Sequence, residues 1–344
     1  MTVNFRSDNE TPVAPRIWKA LEEANQGTAW AYAEDQWSER LDAAFSELFE
    51  IETRVLPLAT GTVANSIALA SVSPPWGTVF CHSAAHISSD ESGAPEFFGN
   101  GLRLVQVDGP NGKIRPDDLA TAIYATEGHG IHSYVPAALS ITQSTESGSL
   151  YTPEELRALN QIALDKGMAT HMDGARFGNA VAALKCSPAE SSWKTGVQML
   201  SFGASKNGCM AAEALLFFGQ HDRYEIAERH RKRSGHLLSK MRYISAQLLA
   251  YIEGGLWLEL AGHANTQAAR FAAAIDVHSS ANLEFPVAAN EVFVRWPAEG
   301  FNRLAASGIE FLLWPGHDDL ARFVFGHSTT ADDTATLIRA FEGE

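Results

Sequence analysis

An α/β protein built on a mainly parallel sheet is the fold class that this 344-residue sequence predicts. Between about residues 53 and 218, short apolar runs alternate with segments of helical period, the pattern of strand–helix–strand crossovers. Strands joined that way form a sheet covered by helices on both faces. The composition, 45% hydrophobic and 19% charged with 27 glycines, suits one large domain and a smaller one.

Taken in order, "TRVLPLAT" reads as a strand and "GTVANSIALASV" as the helix after it. "TVFC" and "LRLVQVD" are strands, and "RPDDLATAIY" is a helix with Pro116 in its first turn. "ALSITQS" is a strand. "TPEELRALNQIALDKG" carries the clearest helix signals: Thr152 as cap, Pro153 at the first position, Glu155 completing a capping box and Gly167 at the end. "MATHMD", "VQMLSFG" and "EALLFF" complete the strands, and the run "MAAEALLFFG" reads as buried. A long helical stretch follows from 220 to about 252. The tail mixes helices with the β-rich pieces "NEVFVRWP", "IEFLLW" and "ARFVFG", a smaller α+β domain completed by the N-terminal arm. The expected division is an arm over 1–30, a large domain over 31–245 and a small C-terminal domain over 246–344.

Composition narrows the function. No apolar run approaches the ~18 residues that span a bilayer, and the polar N-terminus "MTVNFRSDNETP" has no signal-peptide core. Cys81, Cys186 and Cys209 form no CxxC pair and read as reduced packing residues, so the expected location is cytoplasmic. A formal charge of −15 argues against nucleic acid and anionic membrane as partners. The basic run "RHRKR" at 229–233 reads first as the solvated face of a helix.

Lys206 is the anomaly. It sits in "SFGASKNGCM" among small and apolar residues, where lysine is unusual. A turn lysine is the plain explanation; an amine that does chemistry is the sharper one. Asp173, in "THMDGARFGNA", also follows a predicted strand, and ligands of such sheets sit beyond the strands' carboxyl ends. An acid and a lysine so placed suit pyridoxal phosphate, the amine forming a Schiff base and the carboxylate keeping the ring nitrogen protonated. Gly61 and Thr62 open a predicted helix, where backbone N–H groups and the helix dipole receive a phosphate. His82 and His86 are one helical turn apart, but a histidine lying on the cofactor ring is more economical than zinc, so no metal is expected. The GxG in "GHGIHS" follows a helix rather than a strand, which disfavours a nicotinamide enzyme.

"FRSDNET", "TGTVANSIAL", "AHISSDESGA", "HMDGARFGNA", "SFGASKNG" and "ARFVFGHSTT" occur in that order. Together they resemble the L-threonine aldolase family, fold-type I pyridoxal phosphate enzymes of the β-eliminating lyase group. The resemblance covers nearly the whole chain. It implies Lys206 as the Schiff-base lysine, Asp173 at the pyridine nitrogen, Gly61 and Thr62 at the phosphate and His86 on the ring. It implies Arg176 and Arg322 on the substrate carboxylate, with Ser7 nearby. It also implies a homotetramer, a dimer of dimers with active sites between subunits, in which Arg231 to Arg233 and Arg242 approach a neighbour's phosphate.

Thr145, in "ITQSTESGS", stands where many relatives carry a histidine that handles the substrate hydroxyl. His86 is then the expected base, and Trp30, Tyr32 and Trp37 are candidates to shape a pocket for bulky aldehydes. The expected reaction is retro-aldol cleavage of a β-hydroxy-α-amino acid to glycine and an aldehyde. An elimination or aminotransferase reaction on the same scaffold is the alternative, and a non-catalytic binding protein a remoter one.

Overall fold

The computed structural model describes residues 3–128, 130–278 and 280–343. The GxG segment therefore loses His129, which lies outside the described residues. The strands are β1 (Val3–Asn4), β2 (Thr53–Leu58), β3 (Gly77–Cys81), β4 (Arg103–Gln106), β5 (Val135–Thr142), β6 (Ala169–Gly174), β7 (Met199–Gly203), β8 (Glu213–Phe218), β9 (Asn282–Leu283), β10 (Glu291–Arg295), β11 (Ile309–Glu310), β12 (Leu312–Leu313) and β13 (Leu320–Val324). The helices are α1 (Pro15–Ala24), α2 (Leu41–Phe49), α3 (Gly61–Val72), α4 (His86–Ser89), α5 (Ala94–Phe98), α6 (Pro116–Thr126), α7 (Pro153–Asp165), α8 (Phe177–Leu184), α9 (His221–Arg233), α10 (Arg242–Ile252), α11 (Leu256–Asp276), α12 (Ala298–Ala306) and α13 (Ala331–Glu342).

Seven strands form one sheet in the order β2-β8-β7-β6-β5-β3-β4. Every neighbouring pair is parallel except those made by β8, which runs against both β2 and β7. The expected mainly parallel sheet is present, with "EALLFF" as its one reversed strand. Side chains alternate between faces, and β8 displays the consequence. Leu215 and Phe217 enter the core beneath α3, while Leu216 and Phe218 enter the core on the opposite face. Burying a Leu or Phe side chain of this kind contributes about 1.5–3 kcal/mol, which is why these strands are apolar at consecutive positions. The buried run is shorter than "MAAEALLFFG" implies, because Met210 is 51% exposed.

The capping box of α7 is formed as expected, with Thr152 accepting from Glu155 N and the Glu155 carboxylate accepting from Thr152 N. The helical stretch after 220 is two helices, α9 and α10, separated near Gly235, which adopts φ +80°. "IEFLLW" is split as well: β11 pairs in parallel with β1, and β12 joins the antiparallel sheet β12-β13-β10-β9. Phe5 packs in the same core as Phe271, Val292, Phe323 and Phe341, so the N-terminal segment helps close this smaller C-terminal unit. No described helix is long and apolar enough to cross a membrane.

Candidate active site

The polarity of the strands gathers chemistry at one edge of the sheet. At or just beyond the carboxyl ends of β2, β3, β5, β6 and β7 lie Gly61, His86, Glu146, Asp173 and Lys206; β8, being reversed, begins there with Glu213. These side chains line one cavity of about 340 Å³, together with Asn9, Thr62, Asn65, Glu91 and Met210. That volume lies in the range of pockets for small ligands.

Lys206 stands in the short turn Ser205–Asn207 after β7 and is half-buried. The turn is fixed by its neighbours: Asn207 Nδ2 donates to Tyr251 Oη at 2.6 Å and to the Trp257 carbonyl at 2.8 Å, and Ser205 Oγ accepts from Ala212 N at 3.1 Å. Gly203 lets this strand end approach the Asp173 turn, since a Cβ there would collide with the Ala175 backbone. Close by, burial pushes the Glu213 carboxyl up to about 7.

Asp173 is 4% exposed and held at both oxygens: Oδ2 accepts from Asn65 Nδ2 at 2.9 Å and Oδ1 from Ala175 N at 3.1 Å. The same Asn65 nitrogen donates to Glu91 Oε1 at 2.9 Å, and that oxygen also pairs with His86 Nδ1 at 2.9 Å. One amide thus links two carboxylates and an imidazole along the cavity wall. The bond to Glu91 raises the His86 pKa, and burial raises that of Glu91. Two residues before Asp173, burial lowers His171 to about 4, leaving a neutral ring between the Ser140 and Ser201 hydroxyls at 2.9 Å each.

Gly61 begins α3 after Thr60, whose hydroxyl accepts from Val63 N at 3.4 Å. Its φ is outside the left-handed region, so conformation does not require glycine. A Cβ there would meet nothing within 4 Å; it would project into open space beside the helix start. Asn65 Oδ1 and Glu91 Oε2 are buried polar atoms without a protein partner. An amine, a fixed carboxylate, an imidazole and an open helix start fit a flat cofactor with an anionic end near α3 and a protonated ring nitrogen near Asp173.

The other expected residues lie elsewhere. Arg176 is 7% exposed and gives its fork to Asp8, Nε to Oδ2 at 2.7 Å and Nη2 to Oδ1 at 3.0 Å. Arg322, on β13, reaches Glu291 Oε1 at 3.4 Å. Ser7 lines a different cavity, of about 180 Å³, with Glu10, Gly326 and Thr329. Arg242 hydrogen-bonds the Gly27 carbonyl and Tyr243, outside the lysine cavity. In the basic run Arg231 is buried, so that run is not simply a solvated face. Trp30 is 77% exposed and Trp37 packs against the main core; neither they nor Tyr32 line the lysine cavity.

Thr145 is buried, its hydroxyl 3.0 Å from the Asn111 carbonyl and 2.9 Å from Ser149 Oγ. That hydroxyl belongs to a tight turn closed by Gly148 N to Thr145 O at 2.9 Å, and the turn carries Glu146 on the cavity wall. Asn65, Glu146 and Glu213 escaped the sequence reading. Asn65 lies inside an apolar helix and Glu213 opens an apolar strand, which is the signal available for them.

Comparison with known proteins agrees with this geometry. Residues 4–298 match the beta-eliminating lyase family. The low specificity L-threonine aldolase of Pseudomonas aeruginosa is 39% identical over 98% of this chain and 96% of its own. That of a Pseudomonas species is 40% identical over 94% and 93%. Among solved structures, a Leishmania major threonine aldolase superposes with a TM-score of 0.92 at 24% identity, covering 99% of this chain and 98% of that one. A Thermus thermophilus aspartate aminotransferase variant shares the fold, with a TM-score of 0.71 at 16% identity. The chain belongs to the beta-eliminating lyase family, and its full-length relatives at about 40% identity are low specificity L-threonine aldolases.

Proposed function

We propose that this chain is a pyridoxal 5′-phosphate-dependent aldolase that cleaves L-β-hydroxy-α-amino acids, among them L-threonine, L-allo-threonine and L-phenylserine, to glycine and an aldehyde. The observation that carries the reading is Lys206 and Asp173 facing one cavity that opens onto the Gly61 end of α3. When bound, the cofactor supplies an electron sink for a bond broken at the substrate Cα. Lys206 provides the amine that holds its aldehyde carbon, Asp173 keeps the ring nitrogen protonated, and Gly61 and Thr62 receive the phosphate with backbone N–H groups.

His86, on the wall of the same cavity, would lie against the ring and, as the base, would accept the proton of the β-hydroxyl. Its Nδ1 is engaged by Glu91, which fixes the imidazole and leaves Nε2 for the substrate side. Arg176, Arg322 and Ser7, which stand outside the lysine cavity in this structure, would orient the α-carboxylate and so select which bond at Cα breaks. We further propose a large cofactor-binding domain over 31–245, a small domain over 246–344 and an arm over 1–30. The assembly is a homotetramer in which Arg242 serves a neighbouring subunit's phosphate. The three free cysteines support a cytoplasmic location.

The test is glycine and aldehyde release from L-threonine, L-allo-threonine and the L-phenylserine isomers, with Lys206→Ala as control. Release by the natural protein and a drop of at least about a thousandfold in the control is the expected result. A keto acid with ammonia, and no glycine, would redirect the reading to elimination or transamination.

A further inference from the structure

Glu291 opens β10 and is 1% exposed. Its carboxylate stands between two guanidinium groups: Oε2 is 3.4 Å from Arg176 Nη1, and Oε1 is 3.4 Å from Arg322 Nη1. Both contacts are long, since charge-assisted pairs of this type close to about 2.7–2.9 Å. Glu291 Oε2 and Arg322 Nε have no hydrogen-bond partner. Asp8 behaves differently: it takes the Arg176 fork at 2.7 and 3.0 Å and a third bond from Asn290 Nδ2 at 3.1 Å. Arg176 gives Nε and Nη2 to Asp8, which leaves Nη1 facing Glu291, a second, slack carboxylate on the same cation.

The charges around Glu291 are Arg176 at the start of α8, Arg322 on β13, Asp8 on the N-terminal segment and Glu146 on the turn after β5. The two cations are already matched by Asp8 and Glu291, and Glu146 adds a further negative charge at the cavity. An incoming α-carboxylate would face two neutralised arginines in a site sheltered from water, where an unpaired charge is expensive.

We propose that Glu291 is a specificity-determining residue: its carboxylate occupies the charge-pairing positions between Arg176 and Arg322 that a substrate α-carboxylate takes, so a substrate carboxylate engages them only as Glu291 takes up a proton. This rests on the reading that these arginines receive the α-carboxylate. Burial raises the Glu291 pKa, against the pull of Arg176 and Arg322, which brings that proton uptake closer to neutral pH. Binding then favours the protonated form. Affinity for an amino acid is greatest below the Glu291 pKa and weakens as pH rises through it.

The experiment is Glu291→Gln in the cofactor-loaded protein, with two readouts. One is KM and kcat for L-threonine from pH 6 to 9; the other is glycine affinity, followed by the absorbance of the bound cofactor. The expected result is about a tenfold gain in affinity for threonine and glycine at alkaline pH, kcat within about twofold, and a flatter pH dependence of KM than in the natural protein. Binding of 2-amino-1-phenylethanol, which has no carboxylate, is expected to stay unchanged. Weaker glycine binding in the variant, or an equal gain for the amine without a carboxylate, would overturn the proposal. Should the variant not fold, the natural protein decides: glycine affinity independent of pH, after correction for the glycine amine, would overturn it as well. If the natural protein released no glycine from any substrate, the aldolase reading would fail, while the glycine titrations would still report on Glu291.

Discussion

The lysine end of the cavity and the arginine cluster behind it are built on opposite electrostatic plans. At the lysine end, one neutral amide, Asn65, ties Asp173 to Glu91, and atoms such as Glu91 Oε2 are left without partners. In the arginine cluster, Arg176 is closed by Asp8, and only the Glu291 contacts are slack. Fixed dipoles with unused valence suit a site that receives a ligand. A closed buried ion pair suits a joint between segments. The Asp8–Arg176 pair joins the N-terminal segment to α8, and breaking it has the largest expected effect on folding.

Asp8→Asn removes the close charge paired with the buried Arg176 guanidinium and leaves it only the slack Glu291 carboxylate, a change that destabilises by about 3–5 kcal/mol, read as a lower unfolding midpoint in denaturant. The Asp8 carboxyl is sheltered by burial, which alone would raise its pKa, but Arg176 and Lys206 hold it below the usual carboxylate value. Its contribution is therefore present above the ordinary aspartate range and lost as pH falls through the depressed value. Across that window the variant's stability is expected to change less with pH than that of the natural protein. Asp173→Asn should give the reverse profile. Its single amide oxygen can still accept from Ala175 N, and its new NH2 faces Asn65, whose unpartnered Oδ1 can turn to receive it, so the unfolding midpoint moves less than in Asp8→Asn, while turnover drops by about a hundredfold or more because the fixed charge is gone. If both variants mainly lost stability, the contrast between the two regions would be wrong.

A finer test concerns His86. Its pKa is raised first by the bond to Glu91, against burial. As a base it works when neutral, so the acidic limb of kcat is expected above the ordinary histidine range. Glu91→Gln removes the carboxylate and should move that limb down by up to about one pH unit. A limb that stays in place would mean that another group takes the hydroxyl proton.

The lysine end was legible in the sequence because it is local. Asp173 lies within one residue of the end of β6 and Lys206 follows β7 within a few residues, and the alternation of strands and helices puts both at one sheet edge. Glu146 was hidden in a turn whose shape depends on the Asn111 carbonyl, far away in the chain. Glu291 was hidden for a different reason. In "NEVFVRWP" it looks like the polar start of a strand, and only the fold of three distant segments brings Arg176, Arg322 and Asp8 around it. Arg176 was singled out through the family resemblance, but sequence could not reveal that Asp8 already held its fork.

The smallest effect separates ligand from fold most cleanly. Gly61 has no neighbour within 4 Å of where a Cβ would stand, and its backbone is not left-handed. Gly61→Ala at the start of α3 therefore meets no clash in the folded chain and removes backbone freedom from the unfolded one. Stability should rise by about 0.4–1 kcal/mol, visible as a small increase in unfolding midpoint without cofactor. The added methyl group would stand in the space assigned to the phosphate, so cofactor affinity should fall by several-fold in equilibrium titration. A gain in stability with unchanged affinity would move the phosphate away from Gly61. A loss of stability would mean that the glycine serves the helix start itself. Only a gain in one quantity with a loss in the other fits a glycine kept for a ligand at a folding cost.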